Sequence, residues 1–332
     1  MNVPLWVWAL TIAAIIGLLV FDFYAHVKTP HTPSLKEAGF WSAFYIALAL
    51  AFGVLMWFVW DRDHGIEYFA GFLTEKSLSV DNLFVFLIIM TSFRVPSEYQ
   101  QKVLLIGITI ALVMRGIFIA LGTAIIENFS WAFYAFGIFL VYTAWKLVGS
   151  SHEEDEEYHE NAFIRMVRRV IPTTNDYVGD KMVVRIDGRR FITPMAIVML
   201  AIGSTDLLFA FDSIPAIFGL TQEPYIVFTA NAFALLGLRQ LYFLLGGLLS
   251  RLVYLSLGLS FILAFIGVKL VIHALHENEL PFINGGEHVT VIPEVPTLLS
   301  LGVIVLAIAV TAVASLLKTR SDERNGLVTP TP

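Results

Sequence analysis

Apolar stretches long enough to cross a bilayer dominate this chain of 332 residues. A helix needs about 20 predominantly apolar residues to span the hydrocarbon core, and about nine stretches approach that length. The stretches are Pro4–Tyr24, Phe40–Trp60, Tyr68–Phe93, Val103–Ile126, Trp131–Val148, Pro194–Leu220, Tyr225–Leu249, Leu252–Leu275 and Thr297–Leu317. Only 14% of the residues are charged, which excludes an ordinary soluble globule. The sequence predicts an all-α polytopic membrane protein.

The basic residues predict the orientation of these spans. Lys and Arg in short loops stay on the cytoplasmic side of a membrane. With the N-terminus outside, the inner segments carry 16 of the 21 Lys and Arg residues, and the outer segments carry only Arg62. The other four lie within spans. We expect an N-out, C-in protein of the cytoplasmic (inner) membrane, with the lipid bilayer as its surroundings.

The third and sixth predicted spans share an unusual polar pattern. Each carries two acids six residues apart, and an amide or hydroxyl side chain follows the second acid. The residues are Glu75, Asp81 and Asn82 in the third span and Asp206, Asp212 and Ser213 in the sixth. Ionisable residues inside a membrane are costly and usually functional. We predict that these six residues form a site for a metal cation.

The two halves of the membrane portion share further landmarks. Arg115 is followed by Gly122 seven residues later, and Arg239 is followed by Gly246 at the same spacing. We predict that spans 3–5 and 6–8 are repeats, which an odd number of spans places in opposite orientations. The predicted divisions are 1–67 (two helices), 68–148 (first repeat), 149–193 (cytoplasmic loop), 194–275 (second repeat), 276–296 (outer loop) and 297–332 (last helix and tail). A chance likeness between apolar segments is the alternative.

Helix geometry limits how the paired acids can act. A separation of six residues places them about 120° apart around a regular helix, so one regular helix does not direct both toward one ion. A break would help, and Pro215 predicts one in the sixth span. Lys76, Arg115 and Arg239 are the predicted charge-balancing partners of the acids. Alternatively, Lys76 and Glu75 form an ion pair that binds no metal.

The candidate ligands are hard oxygen donors. Carboxylates, amides and hydroxyls suit Mn²⁺, Ca²⁺ or Mg²⁺, and the sequence does not choose among them. There is no cysteine, so thiolate ligands are excluded. Carboxylates in apolar surroundings favour their neutral form, so they could take up protons when the cation leaves. We expect the divalent cation to be transported, with no cofactor acting as a catalyst.

The soluble segments carry weaker signals. In the loop 149–193, the acidic run Glu153–Glu157 is typical of a solvated linker. Residues Met182–Ile192 predict a hairpin on an Asp-Gly turn. This loop is the candidate surface for a protein partner, whereas the outer loop 276–296 holds several acids that could attract cations. The net charge of -6 gives no support to a nucleic-acid partner.

Two long motifs make this chain resemble a known family. Glu75-Lys-Ser-Leu-Ser-Val-Asp-Asn-Leu-Phe-Val-Phe86 and Asp206-Leu-Leu-Phe-Ala-Phe-Asp-Ser-Ile-Pro-Ala-Ile-Phe218 are similar to the signature segments of the TerC family, most closely its Alx branch. The resemblance implies an integral membrane protein that exports manganese and is related to the LysE exporters. It also places the family's motif residues on the same six positions as the predicted site.

We therefore expect a secondary transporter that exports a divalent cation, with manganese favoured by the resemblance, in exchange for protons. No Gly-x-x-x-x-Gly-Lys-Ser/Thr segment is present to bind nucleotide phosphates. The alternative is a non-transporting factor for membrane-protein assembly or the stress response. We expect no enzymatic activity, because His-Glu-x-x-His and Gly-x-Ser-x-Gly are both missing. The oligomeric state is not predicted.

Overall fold

The structure is a computed structural model that describes residues 1, 3–27, 31–129, 131–150, 164–166, 169, 171–174, 176–186, 188–245, 253–289 and 291–324. A few side chains within these ranges are not described, those of Asp81 and Asp212 among them. The helices are α1 (Leu5–Asp22, continued by the π-helical turn Phe23–Val27), α2 (Leu35–Val59), α3 (Arg62–Ser92), α4 (Ser97–Asn128), α5 (Ala132–Ser150), α6 (Pro194–Phe218), α7 (Pro224–Leu235), α8 (Leu238–Leu245), α9 (Leu255–His276) and α10 (Thr297–Arg324). Strands β1 (Val183–Ile186) and β2 (Arg189–Ile192) separate α5 from α6, and a short 3₁₀ turn (Asn284–Gly286) lies between α9 and α10.

The protein is a mostly α-helical, polytopic membrane protein. In the described residues, seven helical stretches are long and apolar enough to cross a membrane. They are α1, α2, α4, α6, α9, α10 and Pro224–Leu244, which includes α7 and most of α8. Helix α5 contains a shorter apolar stretch, and α3 is long but interrupted by charged side chains. The count of nine spans and their orientation remain predictions.

Side-chain caps define where two of the helices begin. Ser34 Oγ accepts a hydrogen bond of 3.2 Å from the Glu37 amide at the start of α2. Asp61 Oδ1 accepts one of 2.9 Å from the His64 amide at the start of α3. That backbone hydrogen bond is the main reason that the pKa of Asp61 lies below its ordinary value. Each cap pairs with an amide group that the helix itself leaves unpaired, and so stabilises the start of the helix. The Asp61 cap does this for α3, the helix that carries Glu75.

The helices of the two predicted repeats pack on one another in a reciprocal pattern. Helix α3 packs on α7, α4 packs on α6, and α5 packs along α9. The last pair approaches closely, since a Cβ atom at Gly137 would lie 2.8 Å from the Gly267 carbonyl oxygen. Small residues permit such backbone contact between membrane helices. Exchanging spans 3–5 with spans 6–8 converts the α3–α7 contact into the α6–α4 contact, as a two-fold repeat requires. The inverted repeat itself stays a prediction.

The break predicted at Pro215 is wrong. Helix α6 continues through Pro215 to Phe218, and the proline lies only three residues before the helix end. A break occurs instead in the seventh span, where Leu236 is extended and Gly237 has a φ of +78°. A Cβ atom at Gly237 would lie 2.8 Å from Tyr45 Cβ. Glycine adopts this left-handed conformation without strain, and its missing side chain leaves room for Tyr45. The break at this position divides the span into α7 and α8.

The predicted hairpin is confirmed. Strands β1 and β2 pair antiparallel, with Val183 opposite Ile192 and Ile186 opposite Arg189. Gly188, in the turn, has a φ of +79°, which a glycine adopts without strain. The acidic run of the same loop lies outside the described residues.

Substituting Gly237 by alanine should destabilise the protein. The left-handed backbone and the contact with Tyr45 together should reduce the unfolding free energy by about 1–3 kcal/mol. Thermal melting in detergent would measure this loss. Gly17→Ala is the matched control, because no atom lies within 4 Å of a Cβ added in that exposed part of α1. Equal melting temperatures for Gly237→Ala and the parent would contradict the requirement for glycine.

Candidate cation site

A buried arginine brings the two acidic motifs together. The Arg115 side chain, on α4, is fully buried and forms an ion pair with Glu75 of α3 through its Nη1 atom. Its Nη2 atom lies 3.5 Å from Oδ1 of Asp206 on α6. Nη1 also donates to Oδ1 of Asn231 on α7, at 3.2 Å. The first acid of each motif therefore contacts the same guanidinium, and Arg115 has the charge-balancing position predicted for it.

Several buried oxygens on α3 and α6, the helices that Arg115 joins, have no hydrogen-bond partner among the described residues. They are Glu75 Oε2, Asp206 Oδ2 and the hydroxyls of Thr74, Ser79 and Ser213. All five residues are almost completely buried. Buried polar atoms are normally hydrogen-bonded, so each exception calls for an explanation. Unpartnered carboxylate and hydroxyl oxygens are the donors that a hard cation accepts.

The described part of the site is incomplete as a metal cage. Among the described side chains, which exclude Asp81 and Asp212, no group of three or more His, Cys, Asp or Glu residues is arranged to hold a metal ion. The backbones of Asp81 and Asp212 lie in α3 and α6, within the same helices as Glu75 and Asp206. Asn82 is buried beside Asp81 in the chain. That these residues are ligands remains a prediction.

Lys76 has a different partner from the one predicted. Its Nζ atom donates to the carbonyl oxygens of Ala234, at 3.0 Å, and Leu236, at 3.4 Å. These carbonyls lie at the end of α7, where the break leaves backbone acceptors free and the helix dipole favours a positive charge. Lys76 thus holds α3 against the break, and the partner of Glu75 is Arg115.

Arg239 pairs with neither Glu75 nor Asp206, the two motif acids whose side chains the structure describes. Its Nη2 atom lies 2.7 Å from Oδ1 of Asp22, and its Nη1 atom donates to Gln101 at 2.5 Å. Asp22 is buried and also accepts hydrogen bonds from Gln240 and Tyr45. The break at residue 237 explains the difference, because it places Arg239 on a separate helix that packs against α2.

Sequence reasoning missed two polar residues beside the acidic motifs. Thr74 precedes Glu75 on α3, and Asn231 accepts a hydrogen bond from Arg115. The sequence offered only a weak signal for Asn231, a single amide among the mostly apolar or small residues of Pro224–Leu235. Uncharged polar side chains are common in membrane helices, so spacing alone did not separate it from ordinary packing.

A cavity of about 500 Å³ opens on the predicted outer side of the site. It is lined by the start of α3, the end of α6 and its following loop, α9 and the outer loop; the polar lining residues include His64, Glu67, Thr221, Lys269, His273 and Glu294. Glu67 Oε2 accepts a hydrogen bond of 2.6 Å from Thr221. Glu67 precedes Glu75 by eight residues on α3, which is roughly 12 Å along the helix axis. The cavity therefore reaches toward the acidic motifs from that side.

Comparison with known proteins decides the family. The profile of the family described as "Integral membrane protein TerC family" matches residues 60–323. The chain belongs to the TerC family. An uncharacterized membrane protein of Mycobacterium tuberculosis (strain H37Rv) is 49% identical over 324 residues, which cover 97% of this chain and 81% of that protein. A similar protein of Myxococcus xanthus is 40% identical over 313 residues, 94% of this chain and 92% of the other.

The Alx-like branch of the TerC family is also confirmed. A protein of Salmonella typhi named "Putative membrane-bound redox modulator Alx" is 39% identical over 250 residues, covering 73% of this TerC chain and 77% of its relative. A protein of the same name in Shigella flexneri is 38% identical over 250 residues. No solved structure matches this TerC protein. These relatives support an integral membrane protein, and none of their names specifies a cation.

Replacing Arg115 by methionine should destabilise this TerC protein strongly. The change removes the cation that pairs with Glu75 and Asp206, so both buried carboxylates lose their counter-charge. Breaking a buried ion pair from one side typically costs about 3–5 kcal/mol. We expect a clear fall in melting temperature in detergent. The double variant with Glu75→Gln should recover part of the loss, since it removes one unpaired charge.

Arg320→Gln provides the control for this experiment. Arg320 is an exposed residue near the end of α10, and its removal should leave the melting temperature unchanged. If Arg115→Met melted like the parent, Arg115 would not be the residue that holds the acidic motifs in the core.

Proposed function

We propose that this TerC protein is a secondary transporter that exports a divalent metal cation, with manganese the favoured ion, across the cytoplasmic membrane. The observation that carries the proposal is the buried guanidinium of Arg115, which contacts the first acid of both motifs while several neighbouring oxygens stay unpartnered. A cluster of this kind needs additional positive charge or protons to be stable in a low-dielectric core.

The charge of the cluster favours a cation as cargo. Glu75 and Asp206 carry two negative charges against the single positive charge of Arg115. Asp81 and Asp212 belong to the same two motifs and add two more acids. Lys76 contacts backbone carbonyls at the break and does not pair with Glu75. An excess of carboxylates therefore remains, which a divalent cation or protons can neutralise in turn. Such alternation is the basis of the proposed cation–proton exchange.

The packing of the helices supports an alternating-access transporter. The reciprocal contacts of α3 with α7 and of α4 with α6 support the proposed inverted repeat, in which the transport site would lie between the two halves. In the predicted N-out orientation, the cavity beside Glu67 opens outward. On the opposite side, the buried pair of Asp22 and Arg239 joins α1 to α8. We propose that the cation leaves through the cavity after passing the acidic motifs.

The choice of manganese rests on the family resemblance and on the oxygen donors. Mn²⁺ accepts carboxylate, amide and hydroxyl ligands, as Mg²⁺ and Ca²⁺ do. The name of the Alx relatives refers to redox modulation. This chain has no cysteine, so its own side chains do not carry out thiol–disulfide exchange. Export of a redox-active metal would be one route from transport to an effect on redox balance.

One structural feature favours the competing function, a factor for membrane-protein assembly or the stress response. The segment that contains the hairpin is tied to the helices, because Tyr177 donates to the Phe93 carbonyl at 2.8 Å and Lys102 pairs with Asp180. An ordered element of this kind could present a surface to a protein partner. Under that function, neutralising the motif acids should have little effect.

Manganese flux into vesicles containing the purified protein tests the proposal. Asp81→Asn, Asp212→Asn and Glu75→Gln should each reduce the flux to the level of protein-free vesicles, because each removes a negative charge that the cation neutralises. Asp63→Asn is the matched control: Asp63 also lies on α3 but is exposed near its start, so flux should persist. Calcium and zinc as competitors would identify the preferred ion.

Two results would contradict the proposal. Transport of no divalent cation by the parent protein would exclude the exporter and favour the assembly factor. Normal transport by all three motif variants would show that ions move by a route that does not involve the acids.

A further inference from the structure

The β1–β2 hairpin presents a basic surface that the proposed transport does not use. Its exposed basic residues are Lys181, Arg185, Arg189 and Arg190. In the part of the chain that the structure describes, no acidic side chain pairs with any of these four. The adjacent acid, Asp180, accepts a hydrogen bond of 2.5 Å from Lys102, which lowers the pKa of Asp180. Arg185, Arg189 and Arg190 therefore face outward without an acidic partner among the described side chains, whereas Lys181 lies close enough to Asp180 to interact with its charge.

The register of the hairpin increases this charge locally. Arg185 lies directly opposite Arg190 in the strand pair. Like charges at directly opposite positions destabilise a pair of strands, so this arrangement benefits from an anion bound beside it. Exposed apolar side chains occupy the same hairpin: Met182, Val183 and Ile186 are 43%, 52% and 45% exposed. Basic and apolar groups side by side are typical of a surface that meets lipid headgroups.

The base of the hairpin is fixed where a membrane helix begins. The Thr193 amide donates to the Met182 carbonyl at 3.0 Å, and the Thr193 hydroxyl donates to the Lys181 carbonyl at 2.6 Å. Helix α6 starts at the next residue, Pro194, and is long and apolar enough to span the bilayer. A strand of four residues extends only about 13 Å. Whichever way the chain is oriented, the hairpin lies close to one membrane surface.

We propose that the hairpin binds anionic phospholipid headgroups of the adjacent leaflet. Arg185 and Arg190 bind the phosphates, since a planar guanidinium forms paired hydrogen bonds with phosphate oxygens. The exposed Val183 side chain shares the strand face of Arg185 and Arg190 and lies at the boundary between headgroups and hydrocarbon, while Ile186 occupies the other face, next to the turn. Basic residues beside a membrane span are attracted to anionic lipid over roughly the Debye length of 8 Å at physiological salt. The proposal does not depend on what the acidic motifs transport.

A single fluorescent label tests this contact. The chain has no cysteine, so Ile186→Cys provides one labelling site on the hairpin. The labelled protein would be placed in nanodiscs of phosphatidylcholine, with or without phosphatidylglycerol, that carry a quencher in the headgroup region. We expect quenching to be roughly twofold stronger with phosphatidylglycerol, and high salt to remove the difference because it screens the charges.

Two charge-matched variants separate the hairpin from general basicity. Arg185→Gln combined with Arg190→Gln should abolish the dependence on phosphatidylglycerol. Lys36→Gln combined with Arg320→Gln removes two exposed basic residues elsewhere and should preserve it. Equal quenching in both lipids would overturn the proposal, as would an equal loss in the two double variants. If the hairpin bound a protein partner and no lipid, quenching would be equal in the two lipids.

Discussion

The buried guanidinium of Arg115 is the interaction on which the arrangement of this protein depends. It joins α4 to α3 through Glu75 and to α6 through Asp206, and it also contacts Asn231 of α7. Two carboxylates buried side by side would otherwise repel each other, and a buried charge without a partner is costly. One shared cation allows both to stay in the core at the meeting point of the two motifs, with oxygens left over for a ligand.

The other buried cationic residues hold the surrounding helices. Lys76 lies next to Glu75 in the chain but donates to carbonyls at the break between α7 and α8, so α3 contacts both the acidic cluster and the break. Arg239, just beyond the break, pairs with Asp22 at the end of α1. Arg115 and Arg239 occupy matching places in the two predicted repeats but bind different partners. The two halves therefore differ in their ion pairs, although their helices pack reciprocally. In the proposed transporter, such inequality would allow one side to be closed while the cavity reaches the other.

Much of this fold could be predicted from the sequence, because long apolar stretches have few alternatives in a membrane. The helices, the hairpin and the pairing of Arg115 with the motif acids follow from hydropathy, turn residues and charge balance. The break at Gly237 could not be predicted, since a glycine in an apolar span is also an ordinary packing residue. The sequence could not indicate the partners of Lys76, because they are backbone carbonyl groups, which every residue has. The Asp22–Arg239 pair joins positions 217 residues apart, which spacing within a repeat does not indicate.

The central claim is that a divalent cation binds where Arg115 brings the two motifs together. The most direct measurement is the anomalous scattering of manganese in crystals of the protein grown with Mn²⁺. The account predicts an anomalous peak between α3 and α6, within coordination distance of oxygens from the motif residues. That peak should be missing in crystals of Asp81→Asn or Asp212→Asn. Manganese bound only at the outer or inner surface, with no peak beside Glu75 and Asp206, would contradict the account.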